Sequence, residues 1–298
     1  MQAEPAPPDL RPRKGPVASI ALVTDSTCVL PAEFVARYKI HVAPQVVIWD
    51  GQTLEDGIDI TPDQFYARLK TSPTMPTTSQ ATVASFKKIF TPLASAGTPI
   101  LALLISSKLS GTIQSAEQAK QDLPGARIEV IDSMHAGMSL GFQVLQTARQ
   151  IEAGKSFEEV VAYARRAKDH TGILLVVDTL EYLHRGGRIG GAQRLLGTAL
   201  NMKPLLYLDN GRIEPLERIR TKPKAFARLM DLLEEKVKGH SQVRISVMHA
   251  AAEADARDLL EQAKSRFSPV ETVLAWASPA IGAHTGPGTV AAAYCVDL

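Results

Sequence analysis

The chain has 298 residues, of which 45% are hydrophobic and 21% are charged, and its formal net charge is +2. This composition is typical of a globular protein of about two domains. Lysine and arginine do not cluster with interleaved aromatic residues, which argues against a nucleic-acid-binding surface. No apolar run approaches the roughly 18 residues of a membrane span, so we expect no membrane span and a cytoplasmic location.

The chain order predicts a short tail followed by two domains. Residues 1–17 are rich in proline and lack the apolar core of a signal peptide, so they are predicted to be a flexible tail. We place an N-terminal domain at residues 18–170 and a C-terminal domain at residues 171–298. The boundary precedes an apolar run at 172–177 that follows two predicted helices.

The first half alternates between apolar runs and helical patterns. Short apolar runs at 18–23, 100–105 and 127–131 predict strands buried on both faces, and 40–49 alternates partly, as a further strand. A short strand is also expected at 52–58. Predicted helices lie near residues 31–38, 61–70, 82–94, 112–119, 139–153 and 157–170. This alternation predicts an α/β fold with a doubly wound parallel sheet.

The second half contains a strong hairpin signal. Apolar segments at 202–208 and 213–219 flank Asp209, Asn210 and Gly211, which favour a tight turn between antiparallel strands. Helical patterns at 180–183, 223–237 and 252–265 alternate with predicted strands at 172–177, 243–248, 269–275 and 290–296. We therefore predict a second α/β domain whose sheet is mixed or antiparallel.

Hydroxyl side chains gather where predicted strands end and helices begin. In a parallel sheet this edge is where ligands bind, and unpaired N–H groups at helix starts favour an anion. Helix capping explains serine and threonine equally well. A pocket of hydroxyls with few charges suits a monocarboxylate with an apolar body better than a phosphate. The hydroxyl residues are Ser26, Thr27, Thr77, Thr78, Ser79, Ser106, Ser107, Ser110, Thr112 and Ser133.

Three further side chains have two interpretations each. His284, between glycines, could add a hydrogen-bond donor to this pocket, or it could be a packed loop histidine. Arg188 and Arg220 could serve the pocket or be ordinary surface cations.

Enzyme templates find little support. The sequence has no G-x-S-x-G nucleophile elbow and no Walker loop, and the glycines at 186–191 lack the dinucleotide-binding order. The histidines show no metal-ligand spacing, and Cys28 and Cys295 are too few for a zinc site. Asp25 and Asp132 could face each other across neighbouring strand ends and do acid–base work, although aspartate there is usually a turn residue. We expect no metal and no cofactor, and keep an enzyme acting on small acids through Asp25 and Asp132 as an alternative.

Eight short motifs, in order from about residue 19 to the C-terminus, resemble those of the DegV family of bacterial lipid-binding proteins. Each is weak alone, and their succession makes the resemblance specific. They are TDST at 24–27, TSQ at 78–80, SSKLSGT at 106–112, IDS at 131–133, LHRGGRI at 183–189, KP at 203–204, RIRT at 218–221 and HTGPG at 284–288. One departure is Ala81, which follows the hydroxyl-rich segment at 71–80 that we predict to be a loop. The family commonly has proline at this position, so we expect Ala81 to loosen the loop.

The resemblance implies a two-domain α/β protein that buries one long-chain fatty acid, such as palmitate, stearate or oleate. It implies that Thr78 and Ser110 hold the carboxylate, with Ser79 beside them and His284 close to the head group. Some members present the acid to a separate fatty acid kinase, and the arginines that support this hand-over match Arg188 and Arg220. On this view the chain is a carrier without catalytic residues. A lipid-responsive regulator using the same site is a further alternative.

Overall fold

A computed structural model describes residues 20–197 and 202–298, so the predicted tail at 1–17 lies outside the described residues. The strands are β1 (Ala21–Asp25), β2 (His41–Ala43), β3 (Val46–Trp49), β4 (Gln52–Glu55), β5 (Thr77–Ser79), β6 (Ile100–Leu104), β7 (Ile128–Asp132), β8 (Thr171–Val176), β9 (Lys203–Asp209), β10 (Arg212–Ile219), β11 (Val243–His249), β12 (Glu271–Trp276) and β13 (Val290–Val296). The helices are α1 (Ala32–Arg37), α2 (Pro62–Thr71), α3 (Val83–Ser95), α4 (Thr112–Gln121), α5 (Met138–Glu152), α6 (Phe157–Ala167), α7 (Glu181–Arg185), α8 (Lys222–Val237), α9 (Glu253–Phe267) and α10 (Pro279–Thr285).

A parallel sheet with the strand order β2-β1-β6-β7 confirms the predicted α/β fold. Strand β6 is buried along its whole length because both of its faces are covered. Phe86 and Phe90 of α3 and Ala116 of α4 pack on one face, and α5 packs on the other. The direction of winding reverses between β1 and β6, so a crevice opens at the carboxyl ends of these two strands.

A small antiparallel sheet, β4-β3-β5, corrects two predictions. The single strand predicted at 40–49 is wrong: β2 belongs to the parallel sheet and β3 to this one. Pro44 separates them, and proline has no N–H to continue a ladder. The hydroxyl-rich segment at 71–80, expected to be a loop, contains β5, which pairs with β3 through Thr78 and Val47. The short strand expected at 52–58 is confirmed as β4.

The second sheet has the order β10-β9-β8-β13-β11-β12, and its mixed character confirms the prediction. Strands β11 and β12 are parallel, whereas the other pairs are antiparallel. The predicted hairpin joins β9 to β10, with Asn210 and Gly211 at φ +46° and +81°, as a tight hairpin turn requires. Helices α8 and α9 cover the face that turns away from the first sheet.

Helix α5 lies between the two sheets. Its residues 138–148 are buried without interruption. It contacts β1 of the first sheet and β8, β11 and β13 of the second. Gly141 permits a close approach, because a Cβ there would lie 2.7 Å from the Cys28 carbonyl oxygen. The division at residues 170 and 171 stays a prediction, since α5 packs on strands from both sides of it.

Helix α10 was not predicted. It begins at Ser278, whose hydroxyl accepts from Ile281 N, and Pro279 occupies its first turn. It ends at Gly286, which has φ +75°. The helix packs against α2, α7, β3 and β5. His284 is therefore carried by a helix between the two sheets and not by a loop.

Among the described residues, no helix combines the length and apolar character needed to cross a bilayer.

Candidate ligand cavity

A two-part cavity lies at the carboxyl ends of the parallel strands, between the first sheet, the second sheet and α10. The space free of protein atoms is about 580 Å³ in the outer part and about 510 Å³ in the inner part, including space that is open to solvent. The two parts adjoin, because five residues line both of them: Leu109, Ala136, Ile213, Ile281 and Thr285.

The outer part brings together five of the six predicted site residues. They come from β5, from the loop after β6, from the segment after α7 and from α10. No pair of these elements is adjacent in the sequence, so the fold alone assembles the group. Their predicted roles in holding a carboxylate stay predictions. The five residues are Thr78, Ser79, Ser110, Arg188 and His284.

The imidazole of His284 contacts Thr78, and it fits because residue 186 is a glycine. Thr78 Oγ1 lies 2.6 Å from His284 Nε2. Burial, followed by the positive charge of Arg188, lowers the pKa of His284 to about 4, so the ring is neutral at pH 7. A neutral ring that carries its proton on Nε2 donates to Thr78 Oγ1 and frees the threonine O–H for a ligand. Gly186 is required here, because a Cβ would lie 2.0 Å from His284 Nδ1.

Gln45, which was not predicted, connects the two hydroxyl-bearing segments. Its Nε2 donates to Thr112 Oγ1 at 2.9 Å, and Thr112 Oγ1 lies 2.8 Å from Ser110 Oγ. Gln45 Oε1 accepts from the backbone N–H of Ala81 at 3.1 Å. A proline at position 81 could not make this bond, so the expectation that Ala81 loosens the loop is wrong. Ala81 adds an attachment instead.

The buried carboxyl group of Asp56 is connected to Gln45 through Ser26. Ser26 Oγ donates to Asp56 Oδ2 at 2.7 Å and accepts from the backbone N–H of Gln45 at 3.0 Å. Burial raises the pKa of Asp56 to about 7, against the opposing effect of the Ser26 hydrogen bond. Asp56 therefore belongs to the structural support of the cavity wall and does not line the cavity.

Arg188 is fixed at the rim of the outer part. Its Nε donates to the Leu109 carbonyl at 3.0 Å and one terminal nitrogen donates to the Gly186 carbonyl at 2.8 Å. Both acceptors are neutral, so the guanidinium keeps its positive charge available to a ligand.

Arg220 occupies a different place from the other predicted residues. It is exposed, follows the last residue of β10 and lines neither part of the cavity. Ile213, near the start of the same strand, does line the cavity. At roughly 3.3 Å per residue, Arg220 lies at most about 23 Å along the chain from Ile213. A role for Arg220 in contacting a partner stays a prediction.

Asp25 and Asp132 do not form the expected pair of facing carboxylates. Strand β6 lies between β1 and β7, which separates the two strand ends by about 10 Å. Asp25 is buried and accepts from the Thr27 hydroxyl at 2.5 Å and from Ile105 N at 2.8 Å. Asp132 accepts from Met134 N at 2.9 Å. Asp25 thus connects its own loop to the loop after β6, and Asp132 organises the loop that follows it. Within residues 20–197 and 202–298, no group of histidine, cysteine, aspartate or glutamate side chains could hold a metal ion.

The inner part of the cavity is apolar and lies between the second sheet and α10. Small side chains leave this space open where larger ones would fill it. Sequence patterns had indicated only core strands here, because residues that line a buried cavity look like residues that fill a core. Its apolar lining includes Gly137, Ile173, Leu175, Leu208, Met248, Ala250, Ala277 and Ala291.

Comparison with known proteins identifies the family. The family model described as "Uncharacterised protein, DegV family" matches residues 19–297. The chain belongs to the DegV family. A DegV domain-containing protein of Streptomyces coelicolor is 38% identical over 271 residues, which cover 90% of this chain and 95% of that protein.

Solved structures of fatty acid-binding proteins have the same fold. A fatty acid-binding DegV family protein from Thermus thermophilus is 35% identical, has a TM-score of 0.88 and covers 93% of this chain and 99% of its own. A stearic acid-binding protein from Eubacterium ventriosum is 25% identical, has a TM-score of 0.87 and covers 93% of this chain and 98% of its own. The predicted resemblance to the DegV family is therefore confirmed.

Proposed function

We propose that this DegV protein binds one long-chain fatty acid, with its carboxylate in the outer part of the cavity and its alkyl chain in the inner part. The observation that carries the proposal is that a hydroxyl-lined part of the cavity directly adjoins an apolar part. The fatty acid-binding relatives from Thermus thermophilus and Eubacterium ventriosum support it, because the fold is shared over almost the whole chain. Palmitate, stearate and oleate are the acids to test first.

The polar residues of the outer part suit a carboxylate. The hydroxyls of Thr78 and Ser110 can each donate to a carboxylate oxygen, with Ser79 as a neighbouring donor. Neutral His284 orients the Thr78 hydroxyl, and Arg188 contributes a positive charge without a carboxylate partner among its hydrogen bonds given above. Hydrogen bonds to a charged acceptor contribute roughly 1.5–3 kcal/mol each.

The alkyl chain supplies most of the affinity. Burial of a chain of about 16 carbons is favourable by roughly 10 kcal/mol, at about 0.8 kcal/mol per methylene group. This is several times the contribution of one head-group hydrogen bond. We therefore assign orientation and selection of the carboxylate to the hydroxyls, and retention of the ligand to the apolar part.

We infer that the protein is a carrier that presents the acid to a fatty acid kinase, which phosphorylates the carboxylate. Arg188 stands at the rim of the outer part, and Arg220 is exposed on the surface, where a partner could contact it. The alternative of an enzyme acting through paired aspartates loses its basis, because Asp25 and Asp132 lie on opposite sides of β6. A lipid-responsive regulator would use the same cavity, and a partner assay separates it from a carrier.

The binding proposal is tested by extracting the purified protein with organic solvent and identifying the lipid by mass spectrometry. We expect one equivalent of a long-chain acid, and uptake of one equivalent of palmitate after delipidation. A protein that is empty and also fails to take up palmitate, stearate and oleate would overturn the proposal.

The carrier proposal is tested separately with a fatty acid kinase of the same organism. We expect Arg220→Ala to bind palmitate with wild-type affinity and to slow its phosphorylation. Arg212→Ala is a matched control, because Arg212 is exposed at the opposite end of β10. Equal phosphorylation rates for wild type and Arg220→Ala would remove Arg220 from the hand-over.

A further inference from the structure

Ser106 is one of the hydroxyl residues recognised in the sequence, but it is not among the residues that line either part of the cavity. It lies in the loop after β6 and is fully buried. Its side chain reaches the turn between β9 and β10, where Ser106 Oγ donates to the Gly211 carbonyl at 2.9 Å. The two residues are 105 positions apart, so this bond joins the two halves of the chain.

The turn between β9 and β10 has the shape that this bond requires. Gly211 is buried and has φ +81°, whereas Asp209 and Asn210 before it are exposed. A Cβ on Gly211 would lie 2.3 Å from Ser106 Oγ, so one of the two groups would have to move. Glycine is therefore needed at position 211 both for the backbone conformation and for the close approach of Ser106.

Ser106 also holds the loop segment that carries Ser110. The Ser106 carbonyl accepts from Leu109 N at 3.0 Å and from Ser110 N at 3.1 Å. Ser106 Oγ accepts in addition from Lys108 N at 3.1 Å. Because three backbone N–H groups of the loop bond to Ser106, a displacement of Ser106 would displace Ser110, which lines the outer part of the cavity.

The position of this loop matters because the two proposed carboxylate ligands come from different elements. Thr78 lies on β5 and is fixed by its pairing with β3. Ser110 lies in the loop that Ser106 connects to the turn at Gly211. A carboxylate that bonds to both hydroxyl groups needs a fixed separation between them, since hydrogen bonds weaken steeply when their geometry is lost.

We propose that Ser106 is a positioning residue of the head-group site: its bond to the Gly211 carbonyl fixes the loop where Ser110 Oγ reaches the ligand carboxylate. The inference rests on the proposed function, in which Thr78 and Ser110 hold the carboxylate. Ser106 does not line the cavity, so its effect on the ligand passes through Ser110.

The test is a double-mutant cycle on the delipidated full chain, with palmitate affinity measured by isothermal titration calorimetry. The forms are wild type, Ser106→Ala, Ser110→Ala and the double variant. We expect Ser106→Ala to weaken binding about fivefold, because Ser110 loses its position. In the double variant palmitate should bind as it does to Ser110→Ala, to within about twofold, because the hydroxyl group that Ser106 positions is already absent.

A spectroscopic measurement reports on the head group directly. The carboxyl carbon resonance of bound [1-13C]palmitate should shift in Ser106→Ala, because the hydrogen bonding of the carboxylate changes. Ser107→Ala is the matched control. Ser107 lies in the same loop, lines neither part of the cavity, and bonds to Asp132 through its backbone N–H. This substitution should change neither the affinity nor the resonance.

The possible outcomes separate the inference from the proposed function. Wild-type affinity or an unshifted carboxyl resonance in Ser106→Ala overturns the inference, and so does an equal weakening when Ser110 is already alanine. If Ser106→Ala does not fold, Gly211→Ala takes its place in the cycle, because the added Cβ would displace the turn from Ser106 Oγ. Failure of wild type to bind palmitate, or wild-type affinity in Ser110→Ala, refutes the proposed function or its head-group assignment instead.

Discussion

Replacing Thr78 by valine isolates one hydroxyl group of the proposed head-group site. Valine keeps the shape and β-branching of threonine, so β5 retains its pairing with β3. The substitution removes one hydrogen bond to the ligand carboxylate, with a contribution of roughly 1.5–3 kcal/mol. At about 1.4 kcal/mol per tenfold change, the dissociation constant for palmitate should rise by about 10- to 150-fold.

The same substitution also removes the 2.6 Å contact with His284 Nε2. The buried imidazole then has two unpaired nitrogens, because Nδ1 has no partner among the described residues. We expect the ligand-free protein to lose roughly 1–3 kcal/mol of stability. Calorimetric titration with palmitate measures the binding effect, and urea unfolding of delipidated protein measures the effect on folding.

Thr77→Val is the matched control for Thr78→Val. Thr77 is exposed on the same strand, and neighbouring strand residues point to opposite faces. Its replacement should change neither affinity nor stability measurably. Wild-type affinity for palmitate in Thr78→Val, with the acid bound in the same pose, would refute the assignment of Thr78 to the carboxylate.

Three further substitutions test other parts of the cavity. Gly186→Ala places a Cβ 2.0 Å from His284 Nδ1 and should weaken palmitate binding about tenfold in titrations; wild-type affinity would contradict this close packing. Ala291→Phe fills the inner part, so the ratio of stearate to decanoate affinity should fall; an unchanged ratio would place the alkyl chain elsewhere. Asp56→Asn tests the buried carboxyl. Its pKa is raised from 3.8 to about 7, so folded wild type loses stability as pH rises through that interval. The free energy of unfolding of Asp56→Asn, measured in urea relative to wild type, should therefore rise from pH 4 to pH 7. A difference in this free energy that stays constant with pH would contradict the burial effect.

The sheets were predictable because their strongest signals are local. The fully apolar run of β6 and the turn at Asn210 and Gly211 each specify a structure within a few residues. The break at Pro44 was also visible in the sequence. The prediction of one strand over 40–49 was wrong because it followed the apolar pattern through a proline. Helix α10 could have been recognised from Ser278 and Pro279 at its start and Gly286 at its end.

Only those residues of the candidate site that belong to recognisable motifs could be predicted from the sequence. Hydroxyl-bearing motifs identified Thr78 and Ser110, which the fold places on one cavity. Gln45 gave no signal, since its partner Thr112 is 67 residues away and the bond depends on tertiary structure. The prediction that Asp25 and Asp132 face each other was wrong because β6 lies between their two strands. Position along the chain does not specify this strand order.

The burial of α5 on all sides has a consequence for how the protein unfolds. Because residues 138–148 contact both sheets, neither sheet can lose its structure without exposing one side of this helix to water. Unfolding of either sheet therefore also disrupts the packing of α5 on the other sheet. The two sheets thus form one cooperative unit. Secondary-structure and tryptophan signals should report a single denaturation midpoint, with Trp49 on the first half of the chain and Trp276 on the second as internal probes.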